Sequence, residues 1–198
     1  MKKKYSFILL FIISFVATTN AQKFNVLSQS EKDDLKLLAK EYIEEFNQDL
    51  KVLPKISNEK IRKKMVNRLK NKFMEGATIQ VANSKDNINT ILVTKYLDKV
   101  LKSYGTRFKI IDIEITSVNI SNIKPMEGKP GYYYADFVFT QRYCRSNTNR
   151  DVEGIVHYDY CDETTKSGKF IVKKVTTSQG TRWKLFYGNI KVIDYKKF

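Results

Sequence analysis

Apolar positions in the first half of the chain recur with the 3.6-residue period of amphipathic helices. The first such segment follows Ser30, a residue suited to cap a helix, and ends before Pro54. A second segment carries an apolar residue at every fourth position over 61–73, and a third covers 93–104. A short stretch at 78–81 alternates as a strand does. The pattern predicts three helices and one short strand.

From Arg107 onward the period changes to two, which is typical of half-buried strands. The alternation changes phase near Thr116 and again at Gly188, and a β-bulge at each place explains the change. The alternating segments are 111–120, 132–143, 152–160, 170–177 and 183–195. Together these elements predict an α+β fold, in which three helices and a short strand pack on a strongly curved antiparallel β-sheet.

The first residues differ in kind from the rest of the chain. Residues 2–4 are lysines, an apolar run follows, and Ala21 ends a small-residue site, which is the layout of a secretory signal peptide. We expect residues 1–21 to be removed after Ala21, leaving 22–198 as a single domain that is periplasmic or secreted. No later apolar run is long enough to span a bilayer.

The passage from the second helix through the short strand to the third helix contains FMEGATIQV at 73–81 and VTKYL at 93–97. In this it resembles the nuclear transport factor 2-like superfamily, an α+β cone also described as cystatin-like. Later pieces similar to exported bacterial members of that superfamily are QRY at 141–143, YCDETTK at 160–166 and GNIKV at 188–192. The resemblance covers 31–194 and implies that sheet and helices enclose a pocket.

In that superfamily ketosteroid isomerase, scytalone dehydratase and polyketide cyclases use the pocket, whereas other members only bind or assemble. Fold alone therefore leaves two functions open. The first is an exported binding or assembly domain, without catalysis or cofactor, that holds a small apolar ligand in the cone or an acidic envelope partner on its surface. It would also suit a homodimer. The alternative is a small-molecule isomerase, dehydratase or hydrolase that uses the same pocket.

His157 is the only histidine, and it lies two residues from Asp159. For the enzymatic alternative the candidate base is His157 or a nearby carboxylate such as Asp159. A metal site that added Cys144 and Cys161 meets a geometric objection, because residues four apart on a strand are separated by roughly 13 Å at ~3.3 Å per residue. We therefore expect no metal, and a structural histidine is the simpler interpretation.

Cys144 and Cys161 are the only cysteines, and they flank the predicted strand at 152–160. An exported protein meets an oxidising compartment, where the two would form a disulfide. Two reduced, buried thiols are the alternative, because the strand register cannot be read from the sequence.

The total of 36 Lys and Arg against 21 Asp and Glu gives a formal charge of +15, and much of it falls on the second helix. One face of that helix carries Lys60, Lys63, Lys64 and Lys70. A positive face of this kind suits an acidic partner, and a solvated surface is the alternative. Export and the lack of a base-reading motif argue against nucleic acid.

Aromatic residues are frequent in the predicted strands, where they pack in a core or form the wall of a pocket. For the pocket we single out Phe137 and Phe139 from the strand 132–143, closed by Phe46 and Tyr96 from the helices. Core packing remains the alternative for all four.

Overall fold

The computed structural model describes residues 26–84, 87–103, 107–148, 151–178 and 180–198. The helices are α1 (Gln29–Val52), a 3-10 turn (Leu53–Lys55), α2 (Glu59–Lys70) and α3 (Val93–Ser103). The strands are β1 (Thr78–Ser84), β2 (Asn87–Leu92), β3 (Ile110–Ile120), β4 (Lys124–Pro125), β5 (Tyr132–Ser146), β6 (Tyr160–Thr177) and β7 (Gly180–Lys197). The expected signal peptide lies outside the described residues. Among the helices described, none combines the length and the apolar character needed to cross a membrane.

The seven strands form one curved sheet in the order β2-β1-β7-β6-β5-β3, with the short β4 paired to β5. All pairings are antiparallel except the contact of β1 with β7. Helix α1 packs across β3, and α2 packs against α3. The α+β layout expected from the sequence is therefore confirmed, with helices covering the inner face of a curved sheet.

Helices α1 and α2 each begin after a residue whose side chain caps the helix. Helix α1 starts after Ser28, whose hydroxyl accepts from the Glu31 amide at 3.1 Å while the Glu31 carboxylate accepts from the Ser28 amide at 2.9 Å. This reciprocal pair satisfies two backbone donors and takes the place of the expected cap at Ser30. Helix α2 is capped by the side chain of Asn58, which accepts from the Ile61 amide at 3.2 Å.

Both predicted bulges are present. The pairing of β3 with β5 shifts register between Ile115 and Ser117, which moves the apolar positions to the other phase. The pairing of β6 with β7 shifts between Gly168 and Phe170, opposite the Gly188–Asn189 pair, and shifts once more between Thr165 and Lys166. The extra residues bend long strands, so the sheet curves around the helices.

The predicted strand at 152–160 is wrong. Residues 151–159 form a loop, in which Asp151 Oδ1 accepts from the amides of Glu153 and Ile155 at 3.0 and 2.8 Å. Gly154 lies between them at φ +80°, a backbone conformation that favours glycine. This side-chain-to-backbone turn outcompetes the weak alternation of the segment, and β6 begins only at Tyr160.

The hydrophobic pattern did not predict β2. The strand NINTIL is almost entirely exposed, and it pairs only with β1 at one edge of the sheet. Since neither of its faces is buried, no apolar stripe marks it in the sequence.

Aromatic rings form the centre of the core between α1 and the sheet. Tyr187 of β7 is 1% exposed, and five rings surround it with centroids 4.9 to 5.8 Å away. These rings belong to Tyr42, Phe46, Phe73, Phe137 and Phe170. The cluster joins the helical layer to β5, β6 and β7.

Gly168 marks the edge of this cluster on β6. A Cβ atom there would lie 2.4 Å from Cζ of Phe137 and 2.8 Å from the carbonyl oxygen of Asn189. Real Cβ atoms do not approach other atoms so closely, so only glycine admits the Phe137 ring at this position. On the inner face of β6, Gly168 separates a stretch of apolar side chains from a stretch of polar ones.

Candidate functional site

Strand β6 carries two kinds of side chain on one face. Toward its carboxyl end Phe170 and Val172 are buried in the core. Toward its amino end the same face carries Asp162, Thr164 and Lys166, and the pairing with β5 runs without a shift through this stretch. The polar residues therefore point to the same side of the sheet as the core, between the sheet and α3.

These side chains line a cavity of about 900 Å³, which we call the α3 pocket. Its walls come from β5, β6, the end of β7, the β1–β2 hairpin and α3. The lining residues that bear on its chemistry are Tyr96, Lys99, Phe108, Gln141, Tyr143, Arg145, Tyr160, Asp162, Thr164, Lys166 and Lys197.

A chain of hydrogen bonds fixes the carboxylate of Asp162, which is 8% exposed. Its Oδ2 accepts from the Tyr160 hydroxyl at 2.6 Å, and its Oδ1 accepts from the Thr164 hydroxyl at 3.2 Å. The Tyr160 hydroxyl also lies 2.8 Å from the hydroxyl of Tyr195. The carboxylate is therefore held by neutral hydroxyl groups.

Lys166 is held by an uncharged partner. Its Nζ donates to Gln141 Oε1 at 2.6 Å, and the amide of Gln141 belongs to a side chain only 5% exposed. Gln141 is paired across the strands with Thr164, so the lysine side chain leans along β6 toward Asp162. Among the described residues, no carboxylate forms an ion pair with this amine.

Burial controls the titration of both charged groups. It lowers the pKa of Lys166 to about 8, against the attraction of Asp162. It also raises the pKa of Asp162, against the hydrogen bond from Tyr160 and the charge of Lys166. The pKa values of Tyr96 and Tyr160 are raised as well, mainly by burial. Two desolvated ionisable groups in one cavity are a mark of functional sites.

A second cavity of about 740 Å³ lies elsewhere, between the turn after α2, β4, β5 and β6. Its charged lining residues are all exposed: Glu75, Lys129, Asp136, Lys169 and Lys191. The second cavity brings no two buried ionisable groups together, so the α3 pocket is the better candidate.

The four aromatic residues singled out from the sequence lie in different surroundings. Tyr96 lines the α3 pocket, and the ring of Phe139, 3% exposed, has its centroid 6.0 Å from Lys166 Nζ. Phe46 and Phe137 pack in the aromatic cluster, and Phe137 also borders the second cavity. The structure thus brings Tyr96 and Phe139 near the polar side chains of β6 and places Phe46 and Phe137 in the core.

His157 and Asp159 lie in the loop before β6, outside the lining of the α3 pocket. The imidazole Nε2 is 3.0 Å from Asp151 Oδ2, and Asp159 accepts from the backbone amide of Asn147. His157 is 75% exposed. Within the described ranges, no three His, Cys, Asp or Glu side chains come together as metal ligands.

The basic face of α2 is partly engaged within the protein. Lys63 pairs with Glu59 at 2.8 Å, and Lys70 pairs with Asp98 of α3 at 2.7 Å. Lys60 and Lys64 are exposed. The exposed face of α2 therefore presents less uncompensated charge than the sequence suggests.

The predicted disulfide is present. Cys144 of β5 and Cys161 of β6 are directly paired across the strands and joined by an S–S bond of 2.08 Å. The neighbouring pairs are Tyr143 with Asp162 and Arg145 with Tyr160, and all four of these residues line the α3 pocket. The bridge thus lies next to the pocket and ties two of its walls together.

Sequence reasoning missed Gln141, Thr164 and Lys166 as site residues, and it did not weigh Asp162 among the carboxylates. The spacing along the strand could have identified them. Asp162, Thr164 and Lys166 are separated from Phe170 and Val172 by even numbers of residues. Side chains at even spacing on a strand face the same side, so polar residues in phase with core residues face inward.

No protein-family model matches the chain, and no curated protein sequence matches it. Among solved structures it is similar to the yeast UBP3-associated protein BRE5, with 8% identity over 87% of this chain and 98% of that one, at a TM-score of 0.42. It is similar to a putative scytalone dehydratase from Novosphingobium aromaticivorans, with 13% identity over 85% and 91%, at a TM-score of 0.40. It is also similar to the Candida albicans Mtr2–Mex67 M domain complex, with 12% identity over 80% and 93%, at a TM-score of 0.42. These structural neighbours are proteins of the nuclear transport factor 2-like fold, enzymes and binding domains among them.

Proposed function

We propose that the protein is a binding domain whose α3 pocket holds a small molecule with an anionic group and an aromatic or apolar body. The observation that carries the proposal is Lys166, a half-buried amine that lines a cavity of about 900 Å³ and has an uncharged partner. Removing a charge from water is unfavourable unless something compensates it, and an anionic ligand would do so.

The charges around the pocket support an anionic ligand. Four lining residues are basic, Lys99, Arg145, Lys166 and Lys197, whereas Asp162 is the acidic one. Arg145 is held in place by aromatic rings, since its guanidinium lies 4.3 Å from the ring centroid of Phe108 and 5.0 Å from that of Tyr160. A guanidinium fixed in this way is suited to bind a carboxylate, sulfonate or phosphate.

The remaining walls suit the body of the ligand. Tyr96, Phe108 and Tyr143 supply rings, and aliphatic side chains of Ile79, Val81 and Ile91 close the side toward the β1–β2 hairpin. Pockets that combine apolar walls with a few fixed polar groups are typical of small-molecule sites. A purely apolar ligand would leave both Lys166 and Asp162 desolvated, so we extend the expected apolar ligand to one with an anionic group.

The proposal predicts that anilinonaphthalene sulfonate, an aromatic anion whose fluorescence rises in apolar sites, binds in the α3 pocket. Replacing Lys166 by glutamine should weaken binding about tenfold or more, because a hydrogen bond to a charged group contributes ~1.5–3 kcal/mol. Fluorescence titration at neutral pH measures the dissociation constants.

The matched control is Lys173→Gln, which removes the same charge from the same strand outside both cavities. It should change the dissociation constant by no more than about twofold, since Lys173 lies on the opposite face of β6 and its charge is screened by salt. Equal effects of Lys166→Gln and Lys173→Gln would contradict the proposal, and so would the absence of binding.

We also propose that the domain acts outside the cytoplasm, after cleavage behind Ala21. The disulfide is consistent with this location, because such bonds persist in oxidising compartments. Intact mass spectrometry of the protein from its native cells should give a chain that begins at Gln22. A native chain that still begins at Met1 would contradict export.

A further inference from the structure

Lys166 has features beyond those needed to attract an anion. Among the described residues its Nζ has one hydrogen-bond acceptor, Gln141 Oε1 at 2.6 Å, so the amine is positioned without being neutralised by a carboxylate. Its other N–H positions remain for a molecule in the α3 pocket, which the side chain lines.

The amine is also available in its neutral form. Because burial lowers the pKa of Lys166 to about 8, roughly a tenth of the molecules carry an uncharged amine near pH 7. An exposed lysine of ordinary pKa is uncharged in far less than a hundredth of molecules at that pH. Only the neutral amine has the lone pair that attacks carbon.

We propose that Lys166 binds carbonyl compounds covalently, as an imine with an aldehyde or ketone group of the pocket's ligand. The proposal rests on the proposed ligand-binding function of the α3 pocket and adds the substrate class: an aromatic or apolar carbonyl compound that carries an anionic group. The Lys166 amine near Gln141 bonds to the carbonyl carbon, and Arg145 or Lys197 at the pocket wall binds the anionic group.

The chemistry is a condensation without a change of oxidation state. The lone pair of Nζ forms a bond to the carbonyl carbon, the carbon–oxygen π bond breaks, and the oxygen takes up a proton as the nitrogen loses one. The resulting hydroxyl then leaves as water with one further proton, and the nitrogen loses its last proton as the carbon–nitrogen double bond forms. One water is released for each imine, and no oxidant or reductant is needed.

The pocket provides groups for these proton transfers. Asp162 lines the same pocket, and its carboxylate, whose pKa burial raises, can take up a proton and return it. The other ionisable groups that face the pocket from the surrounding elements are Tyr96 and Lys99 of α3, Tyr143 and Arg145 of β5, Tyr160 of β6 and Lys197 of β7. Burial favours the neutral form of Lys166, and the negative charge of Asp162 opposes it.

The test uses para-carboxybenzaldehyde with sodium cyanoborohydride, which reduces an imine to a stable amine. At pH 7, peptide mass spectrometry of the wild-type protein should show Lys166 modified about tenfold or more faster than Lys173, a lysine of the same strand outside both cavities. Excess anilinonaphthalene sulfonate should suppress modification of Lys166 and leave that of Lys173 unchanged. The Lys166→Met variant should lose the fast modification.

Modification of Lys166 no faster than that of Lys173 would overturn covalent capture. If anilinonaphthalene sulfonate still binds and Lys166→Gln still weakens it, the pocket binds anions without forming an imine, and the proposed function stands. If that binding is also insensitive to Lys166→Gln, both proposals fail. The comparison of two lysines within the wild-type protein does not depend on whether a variant folds.

Discussion

Replacing Tyr187 by alanine is expected to lower the free energy of unfolding by about 3 to 5 kcal/mol. The ring is 1% exposed and is surrounded by five other rings from α1, the turn after α2, β5 and β6, so its loss opens a cavity where the helices meet the sheet. Urea unfolding followed by circular dichroism measures the effect.

The control Tyr187→Phe keeps the ring and removes the hydroxyl, which donates to the carbonyl oxygen of Tyr42 at 2.9 Å. It should cost about 1 kcal/mol, the contribution of one such hydrogen bond. Equal effects of the two substitutions would mean that the hydrogen bond, and not the packed ring, holds α1 on the sheet.

Loss of the disulfide is expected to lower the free energy of unfolding by about 3 kcal/mol. Cys144 and Cys161 are 17 residues apart, and in the chain-entropy model a cross-link over a loop of this length restricts the unfolded chain by about that much. The double variant Cys144→Ala/Cys161→Ala should show the effect in urea unfolding, and reduction of the wild-type protein should reproduce it.

The same loss should also weaken ligand binding. The bridge joins β5 and β6 beside Arg145 and Tyr160, which pair across the strands and line the α3 pocket. A double variant with unchanged stability would show that the strand pairing alone restrains the loop between the cysteines.

Local patterns in the sequence predicted most of the fold. The phase changes at Thr116 and Gly188 identified two of the bulges, because a single extra residue reverses the alternation of every residue after it. The prediction of a strand at 152–160 was wrong for an equally local reason. Asp151 and Gly154 form a turn there, and the spacing of apolar residues gives no sign of such a turn. Strand β2 had no detectable pattern, because an exposed edge strand buries neither face.

The candidate site was harder to predict. Asp162 and Lys166 lie on the same strand face as core residues, but this is evident only when 160–177 is treated as one long strand. Because the predicted strand ended at Tyr160, where β6 in fact begins, the shared face was missed. The bond between Lys166 and Gln141 joins residues 25 apart and depends on the register of β5 with β6, which the sequence does not specify. His157, the residue that composition makes conspicuous, lies in an exposed loop.

A crystal structure of the protein with bound anilinonaphthalene sulfonate would show directly whether the α3 pocket is a binding site built around Lys166. We predict the sulfonate within hydrogen-bond distance of Lys166 Nζ or the Arg145 guanidinium, and the aromatic body against Tyr96 and Tyr143. A ligand bound in the second cavity or on the outer face of the sheet, with the α3 pocket empty, would contradict it.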